Sequence, residues 1–382
     1  MRDVEVEIYN LRSAAGRHPT YKSCLVELKL LRRGRPRSVD LRELLVRTLS
    51  IYSPSHGEGE LAKFLLGVVK QHADDAWIDG AGNVVAVRGR GAPVVWLHAH
   101  MDTVVGPLEV RDEGEVVRGR GAVDDKGPLV AYLEAFRTAE PSGTLVLALV
   151  TAEEDDSAGT EELIRGGPPR PDYIYVGEPT DLHVAYAYRG GGKIELRINT
   201  RGGHASSPIY GNPFEELYAA YLKVKEVLKP GERYEDFSVM PTVVRCGDAP
   251  NKVPVECTAV LDVRIPPRRS CRELEELLRG LPAYIKTCTD PAEVSPTNPA
   301  ARALVRGLLK VGIEPKLSRK YGTADFNLLI ALTKNMAAFG PGDPRLAHTE
   351  DEAIKVKDVE LAARALKHAV EELGRWGPLK GQ

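Results

Sequence analysis

"VVWLHAHMDTV", residues 94–104, is an apolar run that ends in two histidines and an aspartate. Val94 to Leu97 read as a strand buried on both faces. His98, His100 and Asp102 fall where that strand stops. Three readings are open for them: core packing, a hydrogen-bonded turn, or the start of a metal site. In open parallel sheets the ligand crevice lies outside the carboxyl ends of the strands. The third reading therefore requires the neighbouring strands to end in the same way.

Two further runs do so. "GTLVLALVTAEE" (143–154) and "PDYIYVGEP" (171–179) are rich in Val, Leu and Ile and end in carboxylates. "KGPLVAYLEAFRTA" (126–139) and "SAGTEELIRGG" (157–167) read as helices beside them. Alternating strand and helix predicts an α/β fold with a mostly parallel sheet and helices on both faces. The pattern begins with the amphipathic "DLRELLVRTLSIYSPS" (40–55). From about residue 190 the texture changes. "KIELRINT" (193–200) alternates strictly, with Ile194, Leu196 and Ile198 on one face. A helix, two strands, a helix and a short strand follow, the β-α-β-β-α-β order of a ferredoxin-like α+β unit. Helical patterns return in "NPAARALVRGLLKVG" (298–312), "TADFNLLIALTK" (323–334) and "KVKDVELAARALKHAVEELG" (355–374). The expected organisation is an extension over 1–40, an α/β domain over 41–188 and 293–382, and an inserted unit over 189–292.

The formal net charge of −2 points to neither nucleic acid nor membrane as a partner. No apolar run approaches the ~18 residues of a membrane span. "MRDVEVEIYNLRSAAGRHPTYK" scatters charge where a signal peptide needs an apolar centre, so a cytoplasmic protein is expected. The five cysteines form no C-x-x-C, which argues against a zinc ribbon. Only Gln71 and Gln382 are glutamines, while Arg, Glu and Pro are plentiful. Such a composition suits a thermophile, whose intracellular proteins can carry disulfides; in most cytosols the thiols stay reduced. The basic "LLRRGRPRS" (30–38) fits an extra hairpin, a disordered arm or a misassigned start.

Taken singly, each strand-end group has an ordinary reading. His100-Ala-Asp102 could be a histidine held by a carboxylate, Glu153-Glu154 a solvated loop, Asp124-Asp125 a helix N-cap. Glu178 follows a third strand, and His348 lies in "AHTEDE" after the strand-like "NMAAFGPG". Five such clusters on one sheet edge outweigh the separate readings. Imidazole and carboxylates without cysteine suit zinc or a neighbouring divalent metal in a reactive site. His98 receives no role, and Asp155 and Asp156 read as a solvated acidic edge.

"HAHMDTV", "GRGAVDDKG", "TAEED", "VGEPT" and "AHTEDE", in this order, resemble the dinuclear-zinc peptidase family of aminoacylase, acetylornithine deacetylase, succinyl-diaminopimelate desuccinylase and carboxypeptidase G. The resemblance spans roughly residues 41–375. It implies two zinc ions, with cobalt as a substitute. Asp124 would bridge them, His100 and Glu178 would bind the first, and Glu154 and His348 the second. Asp102 would orient His100, and Glu153 would act as general base. The Asp124–Asp125 peptide would be cis. The inserted unit matches the family's lid and dimerisation domain, and His204 of "RGGHASSP" would reach the neighbouring subunit's site in a homodimer. Arg264 of "VLDVRIPP" shares a strand face with Asp262 and would bind a substrate carboxylate, with Asn251 of "GDAPNKVP" a further contact. Gly322 and Thr323 of "YGTADFN" would open a helix whose free N–H groups receive an anion.

"IYSPS", "GRGAVDDKGPL" and "YGTADFN" are most similar to the branch that hydrolyses the amide between lysine, or ornithine, and the C-terminal glutamate of an acidic amino-group carrier protein. N-acetylornithine deacetylation, succinyl-diaminopimelate desuccinylation and general carboxypeptidase or dipeptidase activity are the alternatives, and a non-catalytic metal-binding protein is the alternative of another class. "RIPPRRSCR" (264–272) and "RRGRPR" (32–37) are candidate docking patches for such a carrier.

Overall fold

The computed structural model describes residues 40–207 and 211–376. The 32–37 patch and the rest of the extension lie outside them. Along the chain come α1 (Leu41–Ser50), α2 (Gly59–Val69), β1 (Asp75–Ile78), β2 (Val84–Gly89), β3 (Val94–His100), α3 (Lys126–Thr138), β4 (Thr144–Val150), α4 (Ala158–Gly166), β5 (Tyr173–Gly177) and β6 (Val184–Tyr188). The inserted segment carries β7 (Gly190–Asn199), α5 (Pro213–Leu228), β8 (Ser238–Cys246), β9 (Glu256–Ile265), α6 (Cys271–Leu278) and β10 (Ala283–Thr289). The chain returns with α7 (Pro299–Lys310), β11 (Met336–Phe339) and α8 (Val356–Trp376).

The main sheet has nine strands and runs β1-β2-β4-β3-β5-β11-β6, then the short strand Ala292–Glu293; Leu317–Lys320 also pairs with β6. Its centre is parallel: β3 lies between β4 and β5, and β11 follows β5 in the same direction. β1 and β2 pair antiparallel, as does β6 with β11 and with Ala292–Glu293, while Leu317–Lys320 runs parallel to β6. The parallel centre is where the sequence shows unbroken Val/Ile/Leu runs, because both faces are covered there. Trp96, Val146, Ile174 and Val176 pack on one face beneath Leu163 of α4 and Phe326. α3, α7 and α8 cover the other.

The smaller sheet runs β8-β9-β7-β10, all antiparallel, the order of a ferredoxin-like unit. Alternation puts Ile194, Leu196, Leu261, Val263 and Ile265 under Leu217 and Val224 of α5 and Leu274 of α6. Two disulfides lie here: Cys246–Cys257 links β8 to β9, and Cys271–Cys288 links the start of α6 to β10. Cys24 is outside the described residues. The two chain connections to the main sheet run side by side, since Ala292 pairs with Tyr188. The Asn327 amide donates to the carbonyls of both connectors, Arg189 at 3.2 Å and Asp290 at 2.8 Å.

Two expectations need correction. "TADFNLLIALTK" forms a single turn, Phe326–Leu329, rather than a long helix. Its polar side chains are committed to other elements: Thr323 donates to the Arg189 carbonyl, and Asp325 accepts from Thr160. The proposed patch at 268–272 is largely self-neutralised, because Arg269 pairs with Glu273 and Arg272 with Glu276.

Candidate metal centre and active-site cleft

β3, β4, β5 and β11 point the same way, so the segments that follow them share one edge of the sheet. His100 ends β3, Glu153 and Glu154 follow β4, Glu178 follows β5, and His348 lies in the loop after β11. Asp124 and Asp125 reach the same edge at the start of α3, joined by a cis peptide bond.

Asp124 stands between the two imidazoles. Its Oδ1 is 3.1 Å from His100 Nε2, and its Oδ2 is 3.3 Å from His348 Nε2. The same His348 nitrogen is 2.8 Å from Glu154 Oε1. His100 Nδ1 faces Asp102, 3.0 Å from its carbonyl oxygen and 3.3 Å from Oδ1. Two of the three groups of donor atoms within 4.8 Å among the described residues lie here: His100, Asp124 and Asp125, and Asp124, Glu154 and His348; the third, His56 with Asp155 and Asp156, is exposed. Glu178 is buried and lines the same cleft, but it belongs to neither tight group.

Asp102, expected to orient His100, does more than that, and the supporting roles of Ser55, Asp125 and Glu352 were missed from the sequence. Asp102 accepts from Glu153 N at 3.1 Å, Glu154 N at 3.0 Å and Ser55 Oγ at 2.7 Å. One carboxylate thus fixes both His100 and the Glu153–Glu154 loop. Asp125 accepts the His100 amide at 3.2 Å, while its buried Oδ1 has no partner. Glu352 Oε1 accepts from Val123 N and Asp124 N, each at 3.0 Å, and Oε2 pairs with Arg120 at 2.9 Å. Nothing in "AHTEDE" separates Glu352 from its exposed neighbours Glu350 and Asp351.

His98, left without a role, continues the strand alternation and points beneath α4. Its Nε2 is 2.8 Å from Thr160 Oγ1, which donates to Asp325 Oδ2 at 2.6 Å. It is a core histidine in a buried polar chain.

The electrostatics show too little positive charge for the acids present. Burial pushes the Glu178 carboxyl up to about 8. Burial also lifts Glu153 well above the usual range; His100 works against this, and Glu178, Asp325 and Glu154 add to it. Burial would raise Asp124 too, but the His100 and His348 hydrogen bonds hold it well below. Those to Asp124 and Glu154 carry His348 up to about 10. A cluster of N and O donors without thiolate, short of positive charge and with an orphan carboxylate oxygen, fits divalent metal ions.

The cleft over these residues encloses about 690 Å³. Its far wall holds Lys193, Arg264, Arg319, Lys320, Gly322 and Thr323. Arg264 and Asp262 share a face of β9 while Val263 and Ile265 are buried, as the alternation predicts. Arg264 Nε is 2.9 Å from Asp262, and Nη1 donates to Thr323 Oγ1 at 3.0 Å. Gly322 and Thr323 line the cleft but do not open a helix, since the turn starts only at Phe326. A helix-end anion site is therefore absent there; Thr323 offers a hydroxyl. His204 and Asn251 meet elsewhere, on the small ladder of Gly203–His204 with Lys252–Val253, where Ala205 N donates to the Asn251 carbonyl at 3.0 Å. Both are exposed, and neither lines this chain's cleft.

The profile of Peptidase family M20/M25/M40 matches residues 96–372. The chain belongs to this family. Among the relatives of this M20-family chain is a Pyrobaculum aerophilum protein, 68% identical over 336 residues that cover 88% of this chain and 98% of that one. It is named as a candidate LysW-lysine/LysW-ornithine hydrolase. A Sulfurisphaera tokodaii protein named LysW-lysine/LysW-ornithine hydrolase is 35% identical over 343 residues, 87% of this chain and 95% of its own length. Among solved structures, an M20 family metallo-carboxypeptidase from Sulfolobus solfataricus superposes with a TM-score of 0.76 at 18% identity, over 88% of this chain and 99% of that one. That likeness is one of fold. The M20-family chain is thus a metal-dependent hydrolase.

Proposed function

We propose that this M20-family hydrolase releases lysine or ornithine from an acidic amino-group carrier protein, as a step of lysine and arginine biosynthesis. It would cleave the amide between the amino acid's α-nitrogen and the carrier's C-terminal glutamate side chain. The observation that carries the reading is the 68% identity, over nearly the full length of both chains, to a relative named for that reaction.

Two zinc ions, with cobalt as a substitute, fit the donor set. His100, Asp124 and Glu178 would hold one, and Asp124, Glu154 and His348 the other. When bound, these ions would supply Lewis acidity for the scissile carbonyl and the attacking water. Glu153 would take a proton from the attacking water and deliver it to the leaving nitrogen. Its backbone amide is pinned by Asp102, so the loop carries the carboxylate in a fixed pose. Arg264 presents a guanidinium half-committed to Asp262, and its remaining N–H groups suit a substrate carboxylate.

A homodimer completes the reading. His204 and Asn251 lie outside their own cleft and would serve that of a second copy. Phe214, Tyr218 and Leu222 on α5 and Met240, Val243 and Val244 on the edge strand β8 are exposed apolar groups that such a dimer would cover in part.

The test is a substrate panel. Metal-loaded protein is offered carrier-linked lysine, carrier-linked ornithine, N-acetylornithine and succinyl-diaminopimelate. Release from the carrier-linked substrates with the highest kcat/KM is expected. A clear preference for either small acyl substrate would overturn the assignment.

A further inference from the structure

The cleft wall carries five cations, and four of them are already answered. Lys193 and Arg264 share Asp262, at 2.5 Å and 2.9 Å. Arg319 pairs with Glu235 and Arg345 with Asp343. Lys320 has no ion pair among the described residues; its ammonium donates only to the Pro179 carbonyl at 2.5 Å. It is half-buried and ends the strand Leu317–Lys320, paired parallel to β6. The Pro179 contact places it directly after Glu178, at the acidic end of the cleft.

An ammonium in this position is held by a carbonyl and feels Glu178, Asp124 and Asp343 from farther off, but no carboxylate among the described residues closes an ion pair with it. One proton goes to a carbonyl, which leaves two N–H donors free for a ligand. Removing such a charge from water costs free energy unless a partner is supplied. The cleft therefore presents two cationic arms, Arg264 from the inserted sheet and Lys320 from the main sheet. We infer that Lys320 is a specificity-determining residue that binds a second substrate carboxylate, distinct from the one that Arg264 takes. The inference rests on the reading above. An amide joining a glutamate side chain to an amino acid's α-nitrogen has a carboxylate on each side of the scissile bond. An acetylated substrate has only one.

The test compares three small substrates on metal-loaded wild type, Lys320→Gln and Lys320→Arg. Nα-glutaryl-L-lysine has both carboxylates. Nα-pentanoyl-L-lysine lacks the acyl-side one, and N-glutaryl-1,5-diaminopentane lacks the amine-side one. Lys320→Gln should raise KM for the doubly charged substrate roughly 10–100-fold, the weight of a charge-assisted hydrogen bond. Its effect on one of the two singly charged analogues should be far smaller, and that analogue identifies which carboxylate Lys320 holds. Lys320→Arg should recover most of the loss. Equal loss on all three substrates, or loss of metal content in Lys320→Gln, would assign the residue to supporting Glu178 and overturn the proposal. A binding arm separates this failure from failure of the carrier reading. Calorimetry of glutarate and of L-lysine on a Glu153→Gln background, with and without Lys320→Gln, needs no turnover. One of the two ligands should weaken by a similar factor; no change in either overturns the inference whatever the natural substrate.

Discussion

Glu153 and Glu154 are adjacent, yet only Glu154 hydrogen-bonds to His348. Glu153→Ala should abolish turnover with two metals still bound, whereas Glu154→Ala should lose one; metal analysis beside an activity assay checks both. The opposite pattern would exchange the two assignments. Glu352 holds the Val123 and Asp124 amides without lining the cleft, so Glu352→Gln should weaken metal affinity about 10–100-fold, as residues behind metal ligands do. Competition with a chelator measures it. The metal-free protein should also lose stability as pH rises. The His348 imidazole binds a proton more tightly folded than unfolded, so its contribution is complete below about 6.5 and fades as pH climbs through about 10. Glu178, protonated up to about 8 by burial, acts in the same direction once the unfolded carboxyl ionises above the usual 4.5. Melting temperature of the metal-free form should therefore fall from pH 6.5 to about 8, above which Lys126, lowered to about 8 by burial, acts in the opposite sense, and the fall should shrink with metal bound. That His100, Asp124, Glu154 and His348 would meet was legible, because each follows or precedes an element whose type the apolar period reveals. Asp125, Ser55 and Glu352 were not legible, since their roles are hydrogen bonds to distant backbone amides that leave no periodic trace.

At the scale of elements, α7 and α8 cross at Gly307. A Cβ there would lie 2.3 Å from the Ala365 carbonyl. Gly307→Ala should force the helices apart and cost about 1–3 kcal/mol, the usual penalty for overpacking, read as a lower denaturation midpoint. The insert's disulfides close spans of 11 and 17 residues. In the loop-entropy view a cross-link of that size contributes about 3 kcal/mol. Cys271→Ser should lower the melting temperature, and reductant should do the same to the wild type. The pairing itself was not readable, because four cysteines on one small sheet allow several connectivities. The strand–helix order was readable almost throughout. The exception is 323–334, where the apolar period is helical but Thr323, Asp325 and Asn327 are bound elsewhere.

For the whole molecule, the separation of His204 from its own cleft makes a specific demand. His204→Ala and Glu153→Ala chains should each be inactive alone. Mixed after subunit exchange, they should regain roughly a quarter of wild-type activity on random pairing, since one cleft of each mixed dimer has both groups intact. No recovery in verified mixed dimers would remove His204 from the shared site. The change in alternation near residue 190 coincides with the start of the second, antiparallel sheet. Exposure was not legible, because Phe214 and Met240 have the same pattern as core residues.

The two connectors between the sheets leave and return as neighbours in one ladder, bridged by Asn327. The insert is in effect a long β-hairpin loop, and topology permits its excision. A turn of two to five residues spans adjacent antiparallel strands, so Tyr188 and Ala292 could be rejoined with little rearrangement. The shortened chain would keep every candidate metal ligand and Glu153, and lose Arg264, His204 and Asn251. It should bind metal, stay monomeric and release no amino acid, dividing the chain into a part that holds the reagent and a part that chooses what meets it.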